Sequence, residues 1–223
     1  MTRFLLASGS PRRRELFGLF GWPFDVTSAN VDESPHNSET PAQMVVRLAR
    51  SKALVAAARL SDEAIIIASD TAVSLDGMPL GKPRDAMDAE CMLRALRGRS
   101  HQVHTGIALF DTRIGQTQSD IATTDVPMRR YSDDEIAAYI ASGDPMDKAG
   151  GYAIQHKDFH PADNLRGCFA NVMGLPLCHL ARLFRAVDIE PNVSVPTVCQ
   201  THIKYACPVF GEILNQRPSA TYQ

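Results

Sequence analysis

FLLASGSPRRREL, residues 4–16, decides the fold. Phe4–Ala7 is an apolar run of strand length. Ser10-Pro11 then starts a helix: a Ser side chain caps the first free amides, and Pro fits the first helical position. Three arginines follow, Arg12, Arg13 and Arg14. The amino end of a helix already carries partial positive charge, so each cation there costs roughly 0.3–1 kcal/mol. In open α/β sheets, ligands bind where a strand hands over to the next helix. Ser8, Gly9 and Ser10 are small enough to let a ligand reach the backbone, and the free amides favour an anion. The arginines are explained if a phosphorylated ligand sits between them and the helix end. The alternative is three solvated surface arginines, and Arg14 taken alone reads that way.

Working outward, strands and helices alternate. A helix is expected over 11–20 and a strand over 24–28. Thr40-Pro41 opens a second capped helix reaching about Leu60, with Val45, Leu48, Ala49, Lys52 and Ala56 at helical spacing. Residues 64–68 contain three consecutive isoleucines, which suits a strand covered on both faces. Leu75-Asp76-Gly77-Met78 reads as a tight hairpin turn. A helix is expected over 85–96, strands over 101–109 and 121–129, and a helix after Ser132. A short strand over 152–155 and a helix over 175–187 follow. The fold class is α/β, a mixed, twisted central sheet flanked by helices.

The chain has 223 residues and 44% hydrophobic content, enough for one sizeable domain. A net charge of −2 gives no reason to expect nucleic acid as a partner. No apolar run is long enough to span a bilayer, and the apolar start is too short for a secretory signal. Five scattered cysteines argue against a disulfide framework and fit a reducing cytoplasm. After Asp188 the pattern loosens, so the domain is placed at 1–188 and a tail of unknown role at 189–223. Cys199, His202 and Cys207, with Cys168, Cys178 or His179, are either a structural zinc site or thiols packing the tail onto the domain; typical zinc-finger spacing is absent.

Chemistry concentrates elsewhere. In IIIASDTAV, residues 65–73, a buried strand is expected to end at Ser69-Asp70-Thr71. A carboxylate there is costly unless something pairs with it. Asp70 can hold a divalent cation, act as general base, or both, or simply cap a turn. Glu33 is a second metal ligand or an exposed loop acid. Lys52, Lys82 and Lys148 each read alone as solvated or snorkelling; with Arg12 and Arg13 they can supply cationic contacts for a triphosphate. Gln155 either reads the edge of a base or ties down a loop.

The sequence resembles the Maf family of nucleoside triphosphate pyrophosphatases. The resemblance covers roughly residues 4–187. It rests on an ordered series: LASGSPRRREL, VDE, RLARSKA, ASDTAV, GKPRD, HQVHTGIAL, DKAGGYAIQ and NVMGLPL. It implies an inosine triphosphatase-like fold and hydrolysis of a nucleoside triphosphate to monophosphate and pyrophosphate with Mg2+ or Mn2+. It makes Asp70 the proton acceptor. It puts Arg12, Arg13, Thr71 and Gln155 at the substrate; read from the residues themselves, Ser8, Ser10, Lys52, Lys82 and Lys148 join them there, and Glu33 joins Asp70 at the metal. The set Arg13, Thr71 and Gln155 is similar to the branch acting on dTTP and UTP. A homodimer is also implied. RGCFA (166–170) and HKDFHPADN (156–164) depart from the family pattern near the expected base pocket. The same cleavage on modified purine nucleotides, and a non-hydrolysing nucleotide sensor tied to cell division, are the rival expectations.

Overall fold

The computed structural model describes residues 2–218. Its elements are β1 (Phe4–Ala7), α1 (Pro11–Gly18), β2 (Phe24–Thr27), α2 (Pro41–Ala57), β3 (Ile65–Leu75), β4 (Met78–Leu80), α3 (Ala86–Leu96), β5 (Ser100–Asp111), β6 (Gln116–Pro127), α4 (Asp133–Ala141), α5 (Phe169–Met173), α6 (Leu177–Arg185), α7 (Val195–Ile203) and α8 (Phe210–Asn215). The sheet is mixed, with order β2-β1-β3-β5-β6 and β4 pairing β3. β1 runs parallel to β2 and β3, while β5 is antiparallel to both β3 and β6. The expected α/β class is therefore the observed one.

Side chains alternate across the sheet, and helices cover both faces. Leu5, Ile66, Ala68 and Ala108 pack against Ala49, Ala53 and Ala56 of α2. Phe4, Leu6, Ile65, Ile67 and Ile107 face the other way, onto Leu16 and Phe17 of α1 and Leu180 and Phe184 of α6. Burying each large apolar side chain contributes about 1.5–3 kcal/mol. A separate cluster around Leu93, Val103, Tyr131 and Tyr139 gathers α3 and α4 at the far end of the long strands.

Three sequence expectations change. The strand through the isoleucines does not stop near Asp70; β3 runs on to Leu75, and Asp70 lies opposite Gly106 of β5. Ten residues of β5 pair with β3, and this long ladder carries the polar stretch through the sheet. The expected strand over 152–155 is absent, because Gly150 and Gly151 turn the chain at φ 72° and 69° and the His156 amide bonds back to the Ala153 carbonyl. The expected helix over 175–187 is narrower, and α5, which was not expected, precedes it. Gly174 at φ 104° divides the two.

The segment read as a loose tail forms α7 and α8. Val195 and Ile213 join the core around Phe4 and Phe184. Arg182 clamps buried Asp120 with two hydrogen bonds and also donates to the Ile213 carbonyl. Residues 219–223 of that segment lie outside the described residues.

Candidate active site

A gap in the sheet makes the site. β5 covers one edge of β3 throughout residues 65–74. The other edge is paired by β1 only at 65–67 and by β4 only at 73–75. Residues 68–72 therefore have no strand beside them on that edge, and the Ser8-Gly9-Ser10 turn leads away from it. A cavity of about 610 Å3 opens there.

Strand alternation splits the Ser69-Asp70-Thr71 triplet between faces. Asp70 follows Ile66 and Ala68 toward α2, where it meets Lys52, the cation in the apolar stripe of that helix. Lys52 Nζ lies 2.5 Å from Asp70 Oδ1 and 2.7 Å from Glu33 Oε1. The lysine's hydrogen bond holds Glu33 below the usual carboxylate range, against a smaller effect of burial. A buried Lys on a helix is thus satisfied by two acids rather than snorkelling to water. Gly106 lets α2 come this close: a Cβ there would lie 2.4 Å from the Val45 carbonyl carbon.

Ser69 and Thr71 face the opposite way and hold Arg13. Its guanidinium donates to the Gly174 carbonyl at 2.9 Å, the Ser69 carbonyl at 2.8 Å and Thr71 Oγ1 at 2.9 Å. The Ser69 carbonyl belongs to the unpaired edge of β3, so Arg13 takes the place of a missing strand. Burial lowers the Arg13 pKa, with nearby Asp70 opposing the shift. Thr71 Oγ1 also bonds Thr105 Oγ1, and Ser69 Oγ bonds the Gly174 carbonyl. Arg13 is tied into the frame, whereas Arg12 and Lys82 make no hydrogen bond among the described residues and line the cavity.

Lys148 lines the cavity too, but its ammonium is held by the Asp144 carbonyl at 2.6 Å, Asp144 Oδ1 at 2.9 Å and Asp147 Oδ1 at 2.6 Å. The five cations expected at the triphosphate thus fall into two groups: Arg13, Lys52 and Lys148 are committed to protein acceptors, and Arg12 and Lys82 are open.

Ten of the eleven expected site residues line this one cavity: Ser10, Arg12, Arg13, Glu33, Lys52, Asp70, Thr71, Lys82, Lys148 and Gln155. Ser8 does not; its hydroxyl accepts the Ser10 amide and shapes the turn instead. Sequence reading missed the apolar wall of Met44, Leu48, Val73, Val103, Tyr152 and Val172. These look like ordinary core positions in sequence, because what separates a pocket wall from a core is the gap between β1 and β4. Tyr152 is set by a 2.7 Å hydrogen bond to His101 Nε2.

Glu33 and Asp70 offer two hard carboxylate donors at the cavity, which suits a cation completed by phosphate oxygens and water. Among the described residues no group of three or more His, Cys, Asp or Glu side chains is disposed to hold a metal by itself. The zinc alternative near the carboxyl end is not formed: His202 turns to Glu15, with Nε2 3.0 Å from Oε1.

The sequence pattern described as Maf-like protein matches residues 3–187. The chain belongs to the Maf family. A Maf relative from Photorhabdus laumondii, named dTTP/UTP pyrophosphatase, is 44% identical over 86% of this chain and 100% of its own length. A Vibrio cholerae protein of the same name is 46% identical over 79% of this chain and 94% of its own. One from Thermomicrobium roseum, also so named, is 45% identical over 88% and 91%. Among solved structures, a nucleoside-triphosphatase / dITP/XTP pyrophosphatase from Mycobacterium abscessus aligns over 83% of this Maf chain and 94% of its own, at 16% identity and a TM-score of 0.42. No helix among the described residues is long and apolar enough to cross a membrane.

Proposed function

We propose that this Maf protein hydrolyses a pyrimidine nucleoside triphosphate, dTTP or UTP, to the monophosphate and pyrophosphate. One observation carries the reading: the Glu33–Lys52–Asp70 cluster shares a cavity with two open cations, Arg12 and Lys82, and an apolar wall next to Gln155. The names of its close relatives support the same substrate class.

In this reading Asp70 accepts the proton of the water that attacks the α-phosphorus. Lys52 holds that carboxylate in place through its hydrogen bond to Oδ1. Arg12 and Lys82 neutralise the leaving pyrophosphate, whose charge grows as the bond breaks. The base lies along the apolar wall, and the Gln155 amide, both donor and acceptor, meets its edge. Glu33 and Asp70 would hold Mg2+ or Mn2+, which when bound would supply positive charge to the phosphate oxygens and acidify water. The protein works as a cytoplasmic house-cleaning enzyme and as a homodimer, the latter open to check by light scattering.

The experiment is a panel of purine and pyrimidine triphosphates with Mg2+ or Mn2+, reading pyrophosphate release by wild type and by Asp70→Asn. The reading expects turnover of dTTP and UTP, loss of turnover in Asp70→Asn, and nucleotide binding retained in that variant. Preference for a purine nucleotide overturns the base assignment. No release from any nucleotide, with binding intact, leaves the sensor reading.

A further inference from the structure

Four of the five cysteines meet at one place outside the active-site cavity. Cys168 precedes α5, Cys178 lies on α6, Cys199 on α7 and Cys207 in the loop before α8. All four line a small apolar cavity of about 10 Å3, room for about one water. Cys168 lies within electrostatic reach of the other three, Cys178 of Cys199 and Cys207, and Cys199 of Cys207. Two come from the matched family region, 3–187, and two from the segment that follows it. The hydrolysis uses none of them.

Their accessibility differs. Cys168 and Cys178 are buried, while Cys199 and Cys207 are half-buried. Burial pushes the Cys178 thiol up to about 12 and Cys199 to about 11. Such thiols are poor first attackers, because the thiolate is the nucleophile. A small disulfide reaches the half-buried pair first, at Cys207 in the loop before α8, and a neighbour completes the reaction. Among the described residues no three of these side chains are disposed to hold a metal ion. Pairwise sulfur chemistry is what the arrangement offers.

We propose that this pocket is a thiol–disulfide site, in which Cys199 or Cys207 of the carboxyl-terminal segment bonds to Cys168 or Cys178 of the Maf domain when a low-molecular-weight disulfide such as oxidised glutathione accumulates. The Cys207 thiolate attacks the small disulfide, forms a mixed disulfide and releases one small thiolate. A neighbouring protein thiol loses its proton to solvent and attacks the Cys207 sulfur, or Cys199 after exchange. The second small thiol leaves. Two protein thiols are oxidised by two electrons and one small disulfide is reduced to two thiols. In a reducing compartment the thiols stay free, and the bond forms only under oxidative load. The bond joins the domain to the helices that Arg182 already clamps through Ile213.

The test equilibrates the full chain over a range of oxidised-to-reduced glutathione ratios, quenches with acid and maps peptides without reduction. The expected result is loss of two hydrogens and a cross-linked peptide joining Cys168 or Cys178 to Cys199 or Cys207. The midpoint of thermal unfolding rises by on the order of 5 °C, reversed by dithiothreitol. A Cys199→Ser, Cys207→Ser double variant keeps its hydrolysis and loses the rise. Four free thiols at every ratio overturn the proposal. So does a bond confined to Cys199 and Cys207, or stoichiometric zinc in the protein as isolated. The peptide map of wild type decides the matter even if the double variant folds poorly.

Discussion

Lys52 reaches Asp70 across the seam between α2 and the sheet, with Nζ 2.5 Å from Oδ1, and the same ammonium holds Glu33 at 2.7 Å. The lysine therefore lies between the two acids. Under the proposed function its work is to hold the base ready. Lys52→Met should lower kcat by about 10²-fold while changing KM little, since removing one preorganised charge from an active site typically costs that much. Steady-state kinetics on dTTP measure it. A rise in KM with kcat unchanged would make Lys52 a contact for substrate binding alone.

Much of this was legible in the chain. Ser10-Pro11 and Thr40-Pro41 mark helix starts that the structure keeps, and the isoleucine run marks the central strand. Lys52 on an apolar stripe reads as a snorkelling side chain or a triphosphate contact, whereas its two acid partners, Glu33 and Asp70, lie 19 and 18 residues away and leave no local sign. What was not legible depends on contacts distant in sequence. Arg13 reads as a phosphate clamp and lines the cavity, but its three acceptors within the chain, at Ser69, Thr71 and Gly174, are 56 to 161 residues away and leave no local sign. Asp70 looked like a strand end because the pairing that continues β3 comes from β5. Residues 152–155 looked extended because their glycine-made turn has no apolar period.

Arg12 and Arg13 are neighbours with opposite commitments, and substitution should separate them. Arg13→Ala removes three hydrogen bonds from a charged donor and leaves the unpaired edge of β3 open. A loss of on the order of 3 kcal/mol is expected, lowering the melting midpoint by about 6–12 °C. Arg12→Ala should leave the melting point within about 1–2 °C, because the half-buried Arg12 has no hydrogen bond among the described residues to lose. It should instead raise KM about tenfold. Thermal melts and kinetics on both variants check this, and equal melting losses would end the distinction.

Stability should fall on the acid side before any carboxylate is protonated. Burial holds His101 and His179 near a pKa of about 4, against an ordinary 6.5. Neither Nδ1 has a partner among the described residues, so protonation would leave a new donor unpaired. Both rings are neutral in the native state, and the unfolded chain takes up protons first as pH drops. Their contribution is complete above about pH 6.5 and is lost progressively toward pH 4, up to roughly 3 kcal/mol each. Urea unfolding at pH 7.5, 6 and 5 should show a falling midpoint with constant m-value. His179→Gln should flatten that slope by about half.

Gly106 tests the seam itself. It lies opposite Asp70 in the ladder, and α2 passes over it so closely that a Cβ would sit 2.4 Å from both the carbon and the oxygen of the Val45 carbonyl. Backbone cannot swing aside as a side chain does, so the helix must lift. Lifting α2 carries Lys52 away from Asp70. Gly106→Ala is therefore expected to cost about 1–3 kcal/mol from overpacking, and also to lower kcat about tenfold although residue 106 touches no substrate. Gly115→Ala serves as the control, because its turn at φ 65° has nothing within 4 Å of an added Cβ. It should lose stability through backbone strain but keep its kcat. If Gly106→Ala lost stability without losing kcat, the spacing between α2 and the sheet would not be what positions the base.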